Sequence, residues 1–329
     1  MTRSFTRTLL APAALLAATA LALTGCGQSS AEPAASSAPE VADTPLKTVD
    51  PAGHEVSLDH QPTAALGFYT TDVDILTTLR VPLAKEQPIR GDSGFTTFPD
   101  YFDQDALAGV TPFANYPEFN YERVLGAAPD FILSGLGYDA EIHEKLAAIA
   151  PTYTTNAFDG ETWQSHFEQT AKDLGRQAQY DTWLQEYQQA GTEAKAAIDE
   201  AGNGDLTVAT LGYWDGKVNV DCYAYLECGV FDTIGLKTTD LSREKGLTLT
   251  LEELDKLKDV DVVWMSTGVG EDAKAELDKS IAAMAKSPYW KDLPFVKNEK
   301  IYTYNMEMAY GSPSGAEAFL AQVRSDLAG

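Results

Sequence analysis

Apolar runs and helical patterns follow one another in the same order twice along the chain. In the first copy, the helical stretch 121–125 precedes the apolar run 131–133, and in the second copy, 251–254 precedes 262–265. Each apolar run ends in a glycine-containing turn that leads into another helical pattern. Short, continuous apolar strands that alternate with helices are typical of parallel sheets covered on both faces. The internal repeat therefore predicts two related α/β lobes.

A long helical pattern separates the two copies. Large apolar residues recur at helical spacing over 178–200, and the sequence 202–204, Gly-Asn-Gly, supplies a stop. At 1.5 Å per residue such a helix would be about 34 Å long. We therefore predict an N-terminal lobe over 47–160, connecting helices with a single interlobe helix over 161–203, and a C-terminal lobe over 204–329.

The first 46 residues follow a different pattern. Two arginines precede an apolar run from Leu9 to Leu23, and Thr24, Gly25 and Cys26 follow, which is the order of a secretory signal. The run is too short to be retained as a membrane span. The cysteine after Leu-Thr-Gly resembles the lipobox of bacterial lipoproteins, in which the thiol is acylated, with palmitate, and the preceding peptide is removed.

This resemblance implies a lipoprotein signal peptide over 1–25 and a flexible tether over 26–46, rich in Ser, Ala, Pro and Glu. The protein would then lie in the cell envelope, anchored to the extracytoplasmic face of the cell membrane only through a lipid on Cys26. An ordinary cleaved signal is the alternative.

Acidic residues outnumber basic ones strongly. The chain has 49 Asp and Glu against 24 Lys and Arg, a net charge of −25 at pH 7. Such a surface repels nucleic acid and anionic lipid, so both are excluded as partners of the folded part.

Two cysteines remain once Cys26 is assigned to the lipid. Cys222 and Cys228 would lie in an oxidising compartment. We predict a disulfide between them, with two free thiols as the alternative.

The order and spacing of several short segments resemble the substrate-binding proteins that serve ferric siderophore, haem and cobalamin importers. The segments are Pro62, Asn120-Tyr121-Glu122 with Pro129-Asp130, Lys145-Leu146 to Ile149-Ala150-Pro151, and Ser287-Pro288-Tyr289-Trp290 to Val296-Lys297. The resemblance covers roughly residues 48–329. It implies two Rossmann-like lobes joined by one long α-helix, a ligand cleft between them with only small lobe movements, a monomer, and transport rather than an enzyme activity.

The resemblance also implies partners. Members of the family deliver their ligand to an ABC permease dimer and dock through one acidic residue on each lobe. The matching positions are Glu122 and Glu252, which occupy equivalent places in the internal repeat. Both glutamates also stand where a helix start favours negative charge, so a purely local role is the alternative.

A ferric siderophore is the ligand that the resemblance favours, with haem or cobalamin as alternatives. Such a complex is bulky and presents flat organic faces, so its site needs aromatic walls and a few arginines. Tyr69 and Trp214 follow predicted strands, Tyr138 follows a glycine turn, and Arg90 and Arg243 lie in loops expected at the cleft. The resemblance adds Tyr116 and supports Trp214, whose positions match ligand-contacting places in the family, and it adds Tyr310, which flanks a loop that faces the cleft in the family. Each aromatic residue is alternatively a core residue. At Tyr116, hydroxamate binders can carry an arginine, which leaves the siderophore class open.

Iron would be held by the oxygens of the siderophore, so no cofactor and no metal ligands of the protein are expected. The four histidines, His54, His60, His143 and His166, are scattered and show no pair at metal spacing. His143 or a cleft tyrosine is a candidate axial ligand only if the cargo is haem.

One motif points to an enzyme. Gly135-x-Gly137-x-x-Ala140 follows a predicted strand and fits a dinucleotide fingerprint, which makes an NAD-type oxidoreductase a remote alternative. A dinucleotide fingerprint normally follows the first strand of its lobe, but this motif follows a later one. The side chain of Tyr138 would also stand where a phosphate must approach the backbone. A purely adhesive lipoprotein is a third possibility, and it predicts that no small molecule binds.

Overall fold

Parallel strands form the centre of each half of the molecule. The computed structural model describes residues 43–91, 94–137, 139–157, 159–220, 222 and 225–329, all within one compact unit. The N-terminal half contains β1 (Leu46–Val49), β2 (Glu55–Leu58), β3 (Ala65–Gly67), α1 (Thr70–Thr78), β4 (Glu86–Arg90), β5 (Thr111–Tyr116), α2 (Tyr121–Gly126), β6 (Phe131–Ser134), α3 (Ala140–Ala147) and β7 (Thr152–Thr154).

Two helices follow, α4 (Trp163–Asp173) and α5 (Gln177–Glu200). The C-terminal half contains β8 (Thr207–Thr210), β9 (Gly212–Trp214), β10 (Lys217–Asn219), α6 (Leu226–Ile234), β11 (Lys237–Thr238), β12 (Thr248–Leu249), β13 (Val262–Thr267), α7 (Glu271–Met284), α8 (Pro294–Lys297), β14 (Ile301–Asn305), α9 (Met306–Ala309) and α10 (Pro313–Ala328). Short 3₁₀ helices lie at Asp240–Arg243, Leu251–Leu257 and Trp290–Asp292.

The N-terminal sheet is built from two parallel pieces. One has the strand order β3-β6-β7 and the other pairs β4 with β5. The buried amide of Gln87 in β4 joins them: its Nε2 donates to the Ala65 carbonyl at 2.7 Å, and its Oε1 accepts from the Gly67 N–H at 3.0 Å. The Gln87 side chain thus forms hydrogen bonds to β3 of the kind that backbone groups form between paired strands.

The C-terminal sheet is parallel, in the order β11-β8-β13-β14, and a small antiparallel sheet β12-β10-β9 lies beside it in the chain. Parallel strands alternate with helices in both halves, which confirms the predicted α/β class with two lobes.

The predicted repeat is visible in the way each sheet begins. Asp130, just before β6, accepts from the backbone N–H groups of Thr63 and Ala64 at 2.8 and 3.0 Å. Asp261, just before β13, accepts from the backbone N–H of Thr207 at 2.9 Å. In both halves, therefore, an aspartate before a central strand accepts hydrogen bonds from the backbone at the start of the neighbouring strand, β3 in one half and β8 in the other.

Helix α5 spans 24 residues, Gln177–Glu200, close to the predicted 178–200. It ends where Gly202 adopts φ +77°, a conformation that glycine takes without steric cost. Its buried face includes Trp183 and Tyr187, whose rings stack with centroids 5.1 Å apart. Within the described residues, no helix is both long and apolar enough to cross a membrane.

One hydrophobic core extends through both halves. It includes Leu76 and Phe131 from the N-terminal half and Trp264 and Phe319 from the C-terminal half, with the apolar face of α5 in the same cluster. Helix α5 packs against α4, α6 and α10. In the C-terminal half, Cys222 and Cys228 are both buried and are joined by a disulfide.

A candidate ligand site at the strand ends

A buried arginine lies between two tyrosines where the two halves meet. Arg90 ends β4, Tyr116 ends β5, and Tyr310 follows α9. The guanidinium carbon of Arg90 is 4.3 Å from the ring centroid of Tyr116 and 4.2 Å from that of Tyr310, within the range of cation–π attraction. The structure therefore brings together three of the seven residues that the sequence suggested as ligand contacts.

Glu307 completes this group from the C-terminal half. Its Oε2 lies 3.7 Å from Nε of Arg90, and the side chains of Arg90 and Glu307 are only 7% and 2% exposed. Glu307 was not among the residues that the sequence suggested. The signal was a single carboxylate between Met306 and Met308, because a charged residue in an apolar segment is rarely buried without a partner.

A second carboxylate lies near this group. Burial raises the pKa of the Tyr101 hydroxyl, and the negative charges of Glu307 and Asp74 raise it further. Asp74 is itself buried. The floor around Arg90 therefore holds at least as many acidic groups as basic ones among the described residues.

An aromatic wall continues from Tyr116 into the N-terminal half. Phe119 contacts Tyr116, Tyr69 and Phe68, with ring centroids 6.0, 5.9 and 4.8 Å apart. A cavity of about 610 Å³ lies along the outer side of this segment, lined by Ala114 and residues 116–122. Tyr69 is 9% exposed and packs against Phe68 and Phe119, so most of its surface contacts other residues of the aromatic wall.

The remaining candidates lie elsewhere. Trp214 is 85% exposed beside the turn of the β9–β10 hairpin. Arg243 pairs with Asp232, its Nη1 2.9 Å from Oδ2, and lines a different cavity of about 560 Å³ formed with α4, α5 and α6. Tyr138 and Cys26 lie outside the described residues.

The two halves are closed on each other at this edge. A Cβ at Gly94, in the loop after β4, would lie 2.3 Å from the carbonyl oxygen of Val269, in the loop after β13. One cavity between residues of both halves, lined by Asp72, Trp163 and Tyr310 among others, has about 20 Å³, and another, lined by Thr77, Asp103 and Ser314 among others, has about 220 Å³.

In the glycine turn of the dinucleotide-like motif, a side chain of the protein takes the place that a phosphate would need. The Asp72 carboxylate accepts from the backbone N–H of Gly135 at 3.0 Å and from that of Tyr69 at 3.0 Å. Burial raises the pKa of Asp72 to about 7, although these N–H groups act in the opposite direction. A phosphate at this turn would meet the carboxylate where it needs the free N–H groups.

Glu122 and Glu252 occupy matching positions. Each is exposed and lies in the first turn of a short helix, preceded by Asn120 and Thr250 respectively as N-cap residues. Asn120 accepts from the backbone N–H of Arg123 at 3.0 Å.

Two histidines that are far apart in the sequence meet in the structure. The rings of His54 and His143 stack with centroids 3.6 Å apart, and Nδ1 of His54 lies 3.0 Å from Oδ2 of the buried Asp50. Nδ1 of His143 lies 2.9 Å from the Thr154 hydroxyl, and burial together with His54 lowers the pKa of His143. Sequence spacing missed this pair because 89 residues separate its members.

Stacked imidazoles are poorly arranged for a shared metal ion, because coordinating nitrogen lone pairs lie in the ring planes and must converge on one point. The Asp50 carboxylate is also already engaged, since it accepts from the backbone N–H groups of His54 at 2.8 Å and Thr154 at 3.0 Å. The cluster therefore fastens the turn after β1 to α3 and β7.

Comparison with known proteins places this geometry in context. The sequence profile of the periplasmic binding protein family matches residues 68–307. The iron-uptake system-binding protein of Bacillus subtilis is 22% identical over 211 residues, which is 64% of this chain and only 65% of that relative's length.

Solved structures share the fold. A FhuD fold-family periplasmic binding protein of a ferrichrome ABC transporter from Bacillus subtilis has a TM-score of 0.65 and 22% identity, covering 85% of this chain and 99% of its own. FhuD2 of Staphylococcus aureus with bound ferrioxamine B has a TM-score of 0.62 and 17% identity, covering 81% and 98%. SirA of the same organism, with staphyloferrin B, has a TM-score of 0.65 and 17% identity, covering 85% and 98%.

Proposed function

The chain belongs to the periplasmic binding protein family, and on that premise we propose that it is the solute-binding lipoprotein of an ABC importer. It binds a ferric siderophore in the cleft between its lobes and delivers the complex to a permease dimer for iron uptake. The iron is cargo held by the siderophore's own oxygens, so the protein needs no cofactor.

The observation that carries this proposal is the stack of Tyr116, Arg90 and Tyr310. Its members come from both halves, so a ligand that contacts all three bridges the lobes. The aromatic faces suit the flat organic surface of a siderophore, and the guanidinium offers N–H donors to its oxygens. The similar proteins include an iron-uptake binding protein and proteins with bound ferrioxamine B and staphyloferrin B, which supports iron complexes as the cargo class.

Binding requires this region to open. Ligand sites for molecules of this kind occupy about 300–1,000 Å³, whereas the cavity that Tyr310 lines together with Asp72 has about 20 Å³. Tyr310 and the loop containing Gly94 would move away from the opposite half. The stiff connection through α5 and the shared core favour a small movement over a wide hinge opening.

The alternatives lose support from the described residues. His143, the candidate haem ligand, stacks on His54 and bonds Thr154, away from the Tyr116–Arg90–Tyr310 stack. The turn that would hold a dinucleotide phosphate is taken by Asp72. We therefore propose binding and delivery without catalysis.

Anchoring and delivery complete the proposal. A lipid on Cys26 would hold the protein at the extracytoplasmic face through the tether 26–46, and Glu122 and Glu252 would dock on the permease. The exposed, matching positions of these two glutamates favour this role. The lobe boundaries 47–160 and 204–329, with connecting helices over 161–203, and ligand contacts at Tyr69, Tyr138, Trp214 and Arg243 also remain proposals.

Fluorescence quenching against a panel of ferric siderophores, haemin and cobalamin tests this function. We expect submicromolar binding of at least one ferric siderophore. Tyr116→Ala should weaken that binding about tenfold or more, because it removes one face of the stack. The control Tyr289→Ala changes an exposed tyrosine outside the stack and should leave the affinity unchanged. Binding only of haemin or cobalamin, or of nothing, would refute the proposal.

A further inference from the structure

We propose that the Arg90–Glu307 pair makes this site selective for neutral or cationic ferric complexes, the charge class of trishydroxamates, over trianionic complexes such as tris-catecholates. This inference rests on the proposed function and names the ligand class within it.

The loops at the carboxyl ends of the strands carry few positive charges. Together with the short elements that they contain, such as β9 and α9, the sequence segments counted are 90–99, 116–120, 135–139, 155–161, 211–216, 239–246, 266–270 and 305–312. Together they contain nine acidic residues and only three basic ones, Arg90, Arg243 and Lys245. A site for a trianion requires the opposite balance, because each buried negative charge must be compensated.

Two of these basic residues already interact with nearby carboxylates. Arg243 pairs with Asp232. Lys245 lies against the 159–161 turn: a Cβ at Gly160 would be 2.4 Å from its Nζ, and its charge helps to lower the pKa of Asp159. Neither is buried as Arg90 is.

Arg90 is the buried cation of the cleft floor, and its charge is already balanced. Glu307 lies 3.7 Å away, with both side chains less than a tenth exposed. The charges of Glu307 and Asp74 both reach Tyr101 in the same floor. An entering trianion would lose its hydration, and it would meet an arginine that is already paired and a carboxylate that repels it.

A neutral or cationic trishydroxamate should bind beside Arg90 and Glu307 with a more favourable free energy than a trianion. It loses less hydration free energy on burial. Its oxygens can accept hydrogen bonds from guanidinium N–H groups, which remain donors while Glu307 holds the charge balance. The wide excess of acidic residues, with a net charge of −25, also attracts a cationic complex before contact.

Titration with three iron(III) complexes tests the inference: ferrioxamine B, a cationic trishydroxamate; ferrichrome, a neutral one; and enterobactin, a trianionic tris-catecholate. We expect both hydroxamates to bind at least about tenfold more tightly than the catecholate. Tighter or equal binding of the catecholate would overturn the inference while leaving the proposed function intact. Failure of all three, with another ferric siderophore of the panel bound, would overturn the inference alone, whereas failure of every ferric siderophore of the panel would overturn both.

Glu307→Gln tests the residue that sets the charge balance. We expect catecholate affinity to rise about tenfold or more, because Arg90 gains an unbalanced charge. Glu200→Gln, at the exposed end of α5, removes the same charge and should leave the ratio unchanged. An unchanged ratio in a folded Glu307→Gln protein would refute the role of Glu307.

Salt dependence of the unaltered protein gives a reading that does not depend on folding of a variant. Raising NaCl from about 0.05 M to about 0.5 M should weaken ferrioxamine B binding and strengthen catecholate binding, since salt screens a negative field around the cleft. The opposite pair of slopes would mean that the cleft field is positive, and it would overturn the inference.

Discussion

One buried carboxylate forms hydrogen bonds between the two halves. Asp74 in α1 accepts from the backbone N–H of Ser314 at 2.8 Å and from its hydroxyl at 2.6 Å, at the start of α10. Burial raises the pKa of Asp74 to about 6, although these hydrogen bonds act in the opposite direction. Glu317, one turn further along α10, has its pKa raised to about 7, first by burial and then by the charge of Asp74.

These raised pKa values predict the direction of the pH dependence of stability. The folded protein takes up these protons at higher pH than the unfolded chain, so the free energy of unfolding rises as pH falls from about 8 towards 5. The shift of about two units at the buried Asp74 corresponds to about 3 kcal/mol between the two limits, whereas the exposed Glu317 contributes less because solvent screens it.

Asp74→Asn should flatten this dependence, because it removes the titrating carboxyl while an amide can still bond Ser314. Denaturant unfolding at a series of pH values between 5 and 8 measures the slope. Asp105→Asn, at an exposed loop position, is the matched control and should keep the slope of the unaltered protein. A slope that Asp74→Asn leaves unchanged would exclude Asp74 as its source.

At the scale of elements, helix α5 and helix α6 approach each other at a glycine. A Cβ at Gly191 would lie 2.7 Å from the carbonyl oxygen and 2.6 Å from Cγ2 of Thr233 in α6. Backbone atoms cannot move aside cheaply, so the glycine is required for the packing of α5 on the C-terminal half.

Gly191→Ala should therefore destabilise the protein by about 1–3 kcal/mol. Helix propensity alone predicts the opposite sign, a gain of about 1 kcal/mol, so the sign of the change in unfolding free energy decides between the two effects. Thr192→Ala, on the exposed side of the same helix, is the control and should change stability little.

The elements themselves were largely predictable from sequence. Tyr116 and Tyr310 were suggested by the family resemblance. The repeat of helix, strand and glycine turn and the span of α5 follow from local periodicity, and the position of Arg90 near the cleft follows from the geometry of parallel sheets. These features depend on residues near one another in the chain.

Contacts between distant segments were not predictable. Neither the pairing of Glu307 with Arg90 nor the stack of His54 on His143 leaves a mark in local spacing. Gln87 resembles any strand residue in the sequence, and only the three-dimensional structure reveals that its amide joins β4 to β3.

At the scale of the whole molecule, the matching positions of Glu122 and Glu252 give a test of delivery. Glu122→Arg combined with Glu252→Arg should abolish uptake of iron from a ferric siderophore while leaving the affinity in solution unchanged, since the docking charges are reversed and the Tyr116–Arg90–Tyr310 stack keeps its residues. Uptake is measured with labelled iron in cells that have this chain as their binding protein for that complex.

Glu193→Arg combined with Glu200→Arg, both exposed on α5, makes the same change in net charge away from the two short helices. This control should retain uptake. Retained uptake in the Glu122 and Glu252 double variant would exclude these residues as the docking contacts.

The core that runs through both halves has a consequence for how the protein responds to heat and to its cargo. Leu76, Phe131, Trp264 and Phe319 belong to one apolar cluster, so neither half can melt without exposing part of the other's interior. The molecule then has one cooperative melting transition in place of two. A complex held by either half delays the melting of both, and the protein carrying cargo resists proteolysis in both halves.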